Sequence, residues 1–219
     1  MGRPPAFFAV IPAAGRSTRM GRPKLAIPFA GRTVLEHVIL SLRKGGVQRV
    51  VVVTGPHAPE LIPLADAAGA GVLAIADSTP DMRTTVEHGL RWLQEHQSPQ
   101  GADAFFLAPG DHPAFDASLV HRLCGAYFAA HSSIVVPVHA GQRGHPVLIA
   151  WRHVAGILAM APHRGVNAYL RENSEQIHEL ETDERGVLFN LDSPEDLVAL
   201  QCQETLLLDS SSAVRKSLR

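Results

Sequence analysis

Five short runs in the first two thirds of the chain, 7–12, 49–54, 72–76, 104–108 and 134–138, are almost wholly apolar and rich in Val, Ile, Leu and Phe. Each is bounded by turn residues and too short for a helix, which predicts strands buried on both faces. Between them, apolar residues recur at helical spacing over 33–44, 59–68, 82–94 and 116–131, with Pro59 and Asp116 suited to helix starts. This alternation predicts a mostly parallel sheet covered by helices, its strands ending on one common edge. Beyond Val138 the pattern changes. The loop HAGQRG at 139–144 is rich in turn residues, and the apolar run 146–150 can pair back with the preceding strand, so a hairpin or mixed sheet is expected there. Helical stretches follow at 152–160 and 165–172, then a strand at 176–181. Ser193-Pro194-Glu195-Asp196 opens a last helix, with Ser as N-cap, Pro at the first helical position and acids in the first turn. No repeat or linker divides the chain, so 1–208 reads as one domain. The serines at 210–212 and the basic end make 209–219 a flexible tail.

Composition narrows the class. A chain of 219 residues, 46% hydrophobic and 19% charged, is long enough for one well-filled core. Twenty Lys and Arg against 21 Asp and Glu give a formal charge of -1, so there is no general cationic field for nucleic acid or an anionic membrane. Two cysteines, Cys124 and Cys202, are too few for a disulfide framework and lack paired zinc spacing, as in a reducing compartment. No apolar run approaches the roughly 20 residues of a membrane span, and the prolines within 1–10 interrupt what a signal peptide would keep apolar. The chain therefore reads as soluble and cytoplasmic.

The strongest chemical signal is IPAAGRSTRMGRPK at 11–24, directly after the first strand. An α/β sheet binds ligands at the carboxyl ends of its strands, and this run places glycines and cations there. Ala13, Ala14 and Gly15 let a ligand approach the backbone, while Arg19 and Lys24 can neutralise phosphates. The spacing is neither a P-loop, which needs Lys followed by Ser or Thr, nor G-x-G-x-x-G, so ATPase and dehydrogenase readings weaken.

These residues resemble the opening L-A-A/G-G-x-S-x-R-M-G-x-x-K of the MobA/MocA-like nucleotidyltransferases, the molybdenum-cofactor cytidylyl- and guanylyltransferases. The resemblance implies a Rossmann-like doubly wound fold and a loop that holds a nucleoside triphosphate. Arg19 and Lys24 would be its phosphate ligands, and Ala13, Ala14 and Gly15 its backbone contacts. Ala14 stands where guanylyl members usually carry glycine, which leans the base choice to CTP.

Later motifs extend the resemblance to about Leu200. Ala108-Pro-Gly-Asp-His-Pro113 ends the fourth predicted strand and resembles the family's G-D-x-P, whose aspartate is the metal ligand. Asp111, beside Gly110, would then hold Mg2+, which favours one or two carboxylates plus phosphate oxygens. Read alone, Gly110-Asp111 is also ordinary turn chemistry. Asn190-Leu-Asp-Ser-Pro-Glu-Asp-Leu197 resembles the closing D-x-D-T-P-E-D-L and puts Asp192 at the second metal position. Asn190 replaces the usual acid, leaving open whether Asn190 or water completes the coordination. Asp81-Met-Arg-Thr-Thr-Val-Glu-His-Gly-Leu90 resembles G-M-S-x-S-L-x-x-G-L, with Thr85 at the serine that faces the nucleotide. Arg83 replaces a small residue there, free to reach a phosphate or the acceptor or simply to lie exposed on the helix. Gly144, His145 and Pro146 resemble the R-G-H-P-V-L-F stretch beside the acceptor, so His145 could orient an acceptor phosphate. Arg164, Gly165 and Asn167 match a later segment only roughly, and Trp92 and Trp151 read as packing residues.

Together these motifs imply transfer of a nucleoside monophosphate, CMP from CTP, onto a phosphorylated acceptor such as molybdopterin, with release of pyrophosphate. The expected partners are the triphosphate, the acceptor and, transiently, a molybdoenzyme. Two other readings remain: a different small phosphorylated acceptor, or a chaperone that binds nucleotide or finished cofactor without turnover.

Overall fold

A computed structural model of the chain describes residues 3–17, 20–130, 132–162 and 164–199. Its centre is an eight-stranded sheet built from β1 (Phe7–Ala13), β4 (Arg49–Thr54), β5 (Gly71–Ala74), β6 (Ala104–Leu107), β7 (Ile134–His139), β8 (Gln142–Arg143), β9 (Val147–Ala150) and β10 (Ile177–Glu181). The strands lie in the order β5-β4-β1-β6-β9-β7-β10, with β8 hairpinned onto β7. Pairings β1–β4, β1–β6, β4–β5 and β7–β10 are parallel. β9 runs antiparallel to both β6 and β7, so it lies between them instead of only pairing back with β7. The fold is thus an α/β sheet of Rossmann-like, mostly parallel form with an antiparallel insertion, and β6, β7 and the earlier strands still end on one edge.

Why the strands lack polar alternation is clear from their two faces. Phe7, Ala9, Ile11 and Ala13 of β1 pack into one core with Val38, Ile39 and Leu42 of α1 (Val34–Lys44) and Leu119, Val120 and Leu123 of α4 (Ala117–Ala129). Phe8 and Val10 face the other core, with Val86, Leu90 and Leu93 of α3 (Met82–Gln97) and residues of α5 (Val154–Leu158) and α6 (Val166–Glu172). A strand buried on both sides needs apolar residues at every position.

Helix ends follow their caps more closely than their periodicity. Thr33 and Glu36 form a capping box on α1, Asp116 accepts a hydrogen bond from the Leu119 amide, and Asp81 accepts one from the Thr84 amide. α3 runs three residues beyond its expected end and stops where Ser98 turns left-handed, at φ 46°. Pro59 falls in the turn before α2 (Leu61–Ala67), and the helix predicted at 152–160 divides into a 3-10 turn, Trp151–His153, and α5. A small ribbon, β2 (Pro28–Phe29) and β3 (Arg32–Thr33), had no signal in the pattern: each strand is two residues, joined by Ala30 and Gly31 with positive φ. A helix opens at 194 and runs through 199, and the tail expected over 209–219 lies outside the described residues. No helix among the described residues is long and apolar enough to cross a membrane.

Candidate active site

Strand order reverses at β1. The chain moves outward from β1 through β4 to β5, then returns to place β6 on the other side, and the loops after β1 and β6 diverge around a crevice. A cleft of about 600 Å³ occupies this edge. Ala13, Ala14, Gly15, Lys24, Thr85, Gly110, Asp111 and Asp192 all line it, so these sequence-expected residues from five separate segments meet in one place. Arg19, assigned with them, lies outside the described residues.

Lys24 is presented by a short 3-10 turn, Lys24–Ala26, whose Leu25 and the following Ile27 are buried in the core. Its backbone amide donates to Ser17 Oγ at 3.2 Å, tying the turn to the opening loop. Gly110 allows the loop after β6 to close over this turn: a Cβ there would stand 2.9 Å from Leu25 Cδ1. The result is a three-membered ion cluster. Lys24 Nζ donates to Asp111 Oδ2 at 2.6 Å and to Asp192 Oδ1 at 2.7 Å, with the Lys24 and Asp111 side chains each 17% exposed. Burial alone would lower the Lys24 pKa, but the hydrogen bonds and charges of the two carboxylates outweigh it and leave the pKa raised.

Asp192 arrives from 168 residues away through a docked closing segment. The Leu191 amide donates to the Asp111 carbonyl at 2.9 Å, and the Leu191 side chain is fully buried. Asp196 accepts from the amides of Asp192 and Ser193, while Ser193 Oγ accepts from the Asp196 amide, so Ser193 does cap this helix start. Asn190 Nδ2 donates to Asp192 Oδ2 at 2.8 Å and orients the carboxylate.

Gly144, His145 and Pro146 stand one layer behind the cleft and are not among its lining residues. The His145 amide donates to the Val187 carbonyl at 2.8 Å, and its ring packs edge-to-face on His112, centroids 4.8 Å apart. Burial pushes the His145 pKa down to about 4, and burial likewise lowers that of His112 although neighbouring Asp111 pulls it up. Arg83 neither projects into solvent nor lines the cleft. It donates to the Met160 carbonyl at 2.9 Å and pairs with Glu87 at 2.9 Å, anchoring α3 to the turn after α5. Arg164 pairs with Glu172, and Trp151 packs between Phe8 and Phe105.

Residues that sequence reasoning missed come from the loops after β4 and β5. Ser78 Oγ bonds His57 Nε2 at 2.6 Å and accepts from Arg16 at 3.4 Å, and Thr79 Oγ1 bonds Thr85 Oγ1 at 2.6 Å. Their signal was positional: these loops leave strands that end on the same edge as the opening loop. Among the described residues no group of three or more His, Cys, Asp or Glu is arranged to hold a metal. Two carboxylates converging on one cationic atom nevertheless form a hard-oxygen pair, which fits a cation that takes its remaining ligands from phosphate and water.

The cleft at the strand-order reversal thus brings together a glycine-containing loop, a lysine and paired aspartates. The profile of the MobA-like NTP transferase domain matches residues 9–178, and the chain belongs to that family. A molybdenum cofactor guanylyltransferase of Sinorhizobium fredii is 33% identical over 65% of this chain, which spans 62% of that protein's length. A 2-C-methyl-D-erythritol 4-phosphate cytidylyltransferase of Ralstonia nicotianae is 32% identical over 86% of this chain and 67% of its own. Among solved structures, a nucleotidyl transferase of Methanothermobacter superposes with a TM-score of 0.73 at 21% identity, covering 90% of this chain and 97% of the other, which establishes the shared fold.

Proposed function

We propose that the protein transfers CMP from CTP to the phosphate of molybdopterin, releasing pyrophosphate. The observation that carries this reading is the Lys24–Asp111–Asp192 cluster at the mouth of the glycine-containing loop. The acceptor phosphate oxygen attacks the α-phosphorus, the bond to the bridging oxygen of pyrophosphate breaks, and that oxygen leaves with its electron pair. Such a reaction needs positioning and charge neutralisation rather than a protein nucleophile. The backbone of 13–15 holds the triphosphate close, Lys24 and Arg19 balance the charge of the departing pyrophosphate, and Thr79 and Thr85 line the wall beside the nucleoside. Asp111 and Asp192 are the residues that would hold Mg2+. When bound, that ion supplies further neutralisation of phosphate charge. The Gly144-His145-Pro146 segment supports the site indirectly, by seating the 3-10 turn Arg185–Leu188 that leads to Asp192.

Ala13-Ala14-Gly15 favours CTP, and the guanylyltransferase relative favours the molybdenum-cofactor acceptor. Cytoplasmic residence and passing contact with a molybdoenzyme belong to the same reading. The methylerythritol phosphate cytidylyltransferase relative favours a second reading, in which the acceptor is another small phosphorylated alcohol. Purified protein incubated with magnesium and each of CTP, GTP, ATP and UTP, with no acceptor, with molybdopterin or with methylerythritol phosphate, decides by pyrophosphate release. Release requiring CTP and molybdopterin together is the expected result. Release with GTP instead moves the protein to guanylyl transfer, and release only with methylerythritol phosphate selects the second acceptor. Tight nucleotide binding with no turnover on any acceptor favours the chaperone reading.

A further inference from the structure

Lys24 stands where the site would otherwise seat a dication. Its ammonium bonds one oxygen of Asp111 and one of Asp192, at 2.6 and 2.7 Å, and the Lys24 and Asp111 side chains are largely withdrawn from water. Asn190 holds the second oxygen of Asp192, so that carboxylate is aimed and not free to swing. Two carboxylates and one ammonium leave the cluster with one negative charge in excess.

Three binding events can be compared by charge alone. A dication entering alone must evict an ammonium that then has no anion nearby. A triphosphate entering alone meets two carboxylates, with the ammonium charge already committed to them. When both enter together, the dication balances the two carboxylates and the released ammonium offsets part of the phosphate charge, so neither cation is left without an anion. The Lys24 backbone does not need to move for this exchange, because Leu25 and Ile27 fix the turn in the core and Ser17 holds the Lys24 amide. Only the side chain redirects.

We infer that Lys24 is a displaceable counter-ion that keeps the dication seat closed until the triphosphate arrives, making metal and nucleotide binding mutually dependent. This inference rests on the nucleotide-binding reading of the cleft. Thermodynamic reciprocity then requires nucleotide to tighten metal binding by the same factor that metal tightens nucleotide binding, about 5- to 150-fold for ordinary coupling.

The test is a titration with Mn2+, followed by the paramagnetic resonance of the free ion, with no acceptor and no turnover. Wild-type protein should bind Mn2+ weakly alone and at least about fivefold more tightly with saturating CTP. Lys24→Met should bind Mn2+ alone about tenfold more tightly than wild type and lose most of the enhancement by CTP. Lys24→Arg, which keeps the charge, should stay near wild type, and Arg16→Gln, which removes a charge at the same cleft without touching the aspartates, should shift Mn2+ binding by less than about threefold. Equal or weaker Mn2+ binding by Lys24→Met overturns the inference, as does an equal gain in Arg16→Gln, which would reveal a general field effect. Should Lys24→Met fail to fold, absence of coupling in the wild type is enough to overturn it. Failure of CTP to bind at all strikes instead at the proposed function, and calorimetry with CTP and Mg2+ separates the two.

Discussion

At Lys24, loss of water and the attraction of two carboxylates oppose each other, and the raised pKa records that attraction prevails. A group raised in this way contributes stability that is complete below its ordinary value of 10.5 and is lost as pH climbs through the folded value, so the cluster is fully formed near neutrality. Its side chains should matter chiefly for turnover. Lys24→Ala and Asp111→Ala are expected to lower kcat by about 10²- to 10³-fold, the usual cost of removing one preorganised charge-stabilising group. Circular dichroism should show both still folded, and unaltered rates in either variant would remove the proposed mechanism. Arg83 illustrates a different use of charge. Its guanidinium is spent on Met160 and Glu87, which explains how an arginine fits where a small residue is more common.

Elements deliver these side chains through contacts that leave no room for a Cβ. Gly186 sits in the 3-10 turn Arg185–Leu188, just before the closing segment, and a Cβ there would stand 2.0 Å from the Ala114 carbonyl oxygen. A Cβ on Gly144 would stand 2.4 Å from the Val187 oxygen. Both glycines let the loop after β6, the hairpin loop and the closing segment stack directly. Gly186→Ala should therefore displace Asp192 and cost about 1–3 kcal/mol, with loss of turnover exceeding what the lower melting temperature explains. Thr33→Ala provides the contrast. It removes the capping box of α1, away from the cleft lining, and should cost about 1 kcal/mol in denaturant melts while leaving kcat unchanged.

Across the whole molecule, the end of the sheet opposite the cleft is held by a second charge centre. Asp103 is 1% exposed and accepts from the Ala6 and Gln100 amides and from Arg3, while its own carbonyl accepts from the Trp151 amide. Burial would raise its pKa, but these donors outweigh burial and depress it. A depressed carboxyl contributes stability that is present above its ordinary value of 3.8 and is lost as pH falls through the folded value. Asp103→Asn should thus destabilise the protein by about 1.5–3 kcal/mol near neutral pH, with the difference from wild type narrowing below pH 3.8. Urea melts of both proteins at several pH values check this, and a difference independent of pH would refute the assignment.

The sequence by itself determined the buried strands, most helices, the common edge on which the strands end, and the glycine-containing cationic loop of 11–24 at that edge. These features depend on residues near one another in the chain: apolar runs, helical spacing, caps, and a glycine loop directly after a strand. Through motif resemblance it also marked Asp111 and Asp192 as two positions of one metal site. Only the tertiary structure decided that Asp192 meets Lys24, that β9 lies between β6 and β7, that His145 packs on His112, and that Ser78 and Thr79 join the cleft wall. The physical reason is range. Each of these depends on steric fit and hydrogen bonding between segments distant in sequence, such as Leu191 on the Asp111 carbonyl, and local propensity carries no information about which distant surface a segment will find.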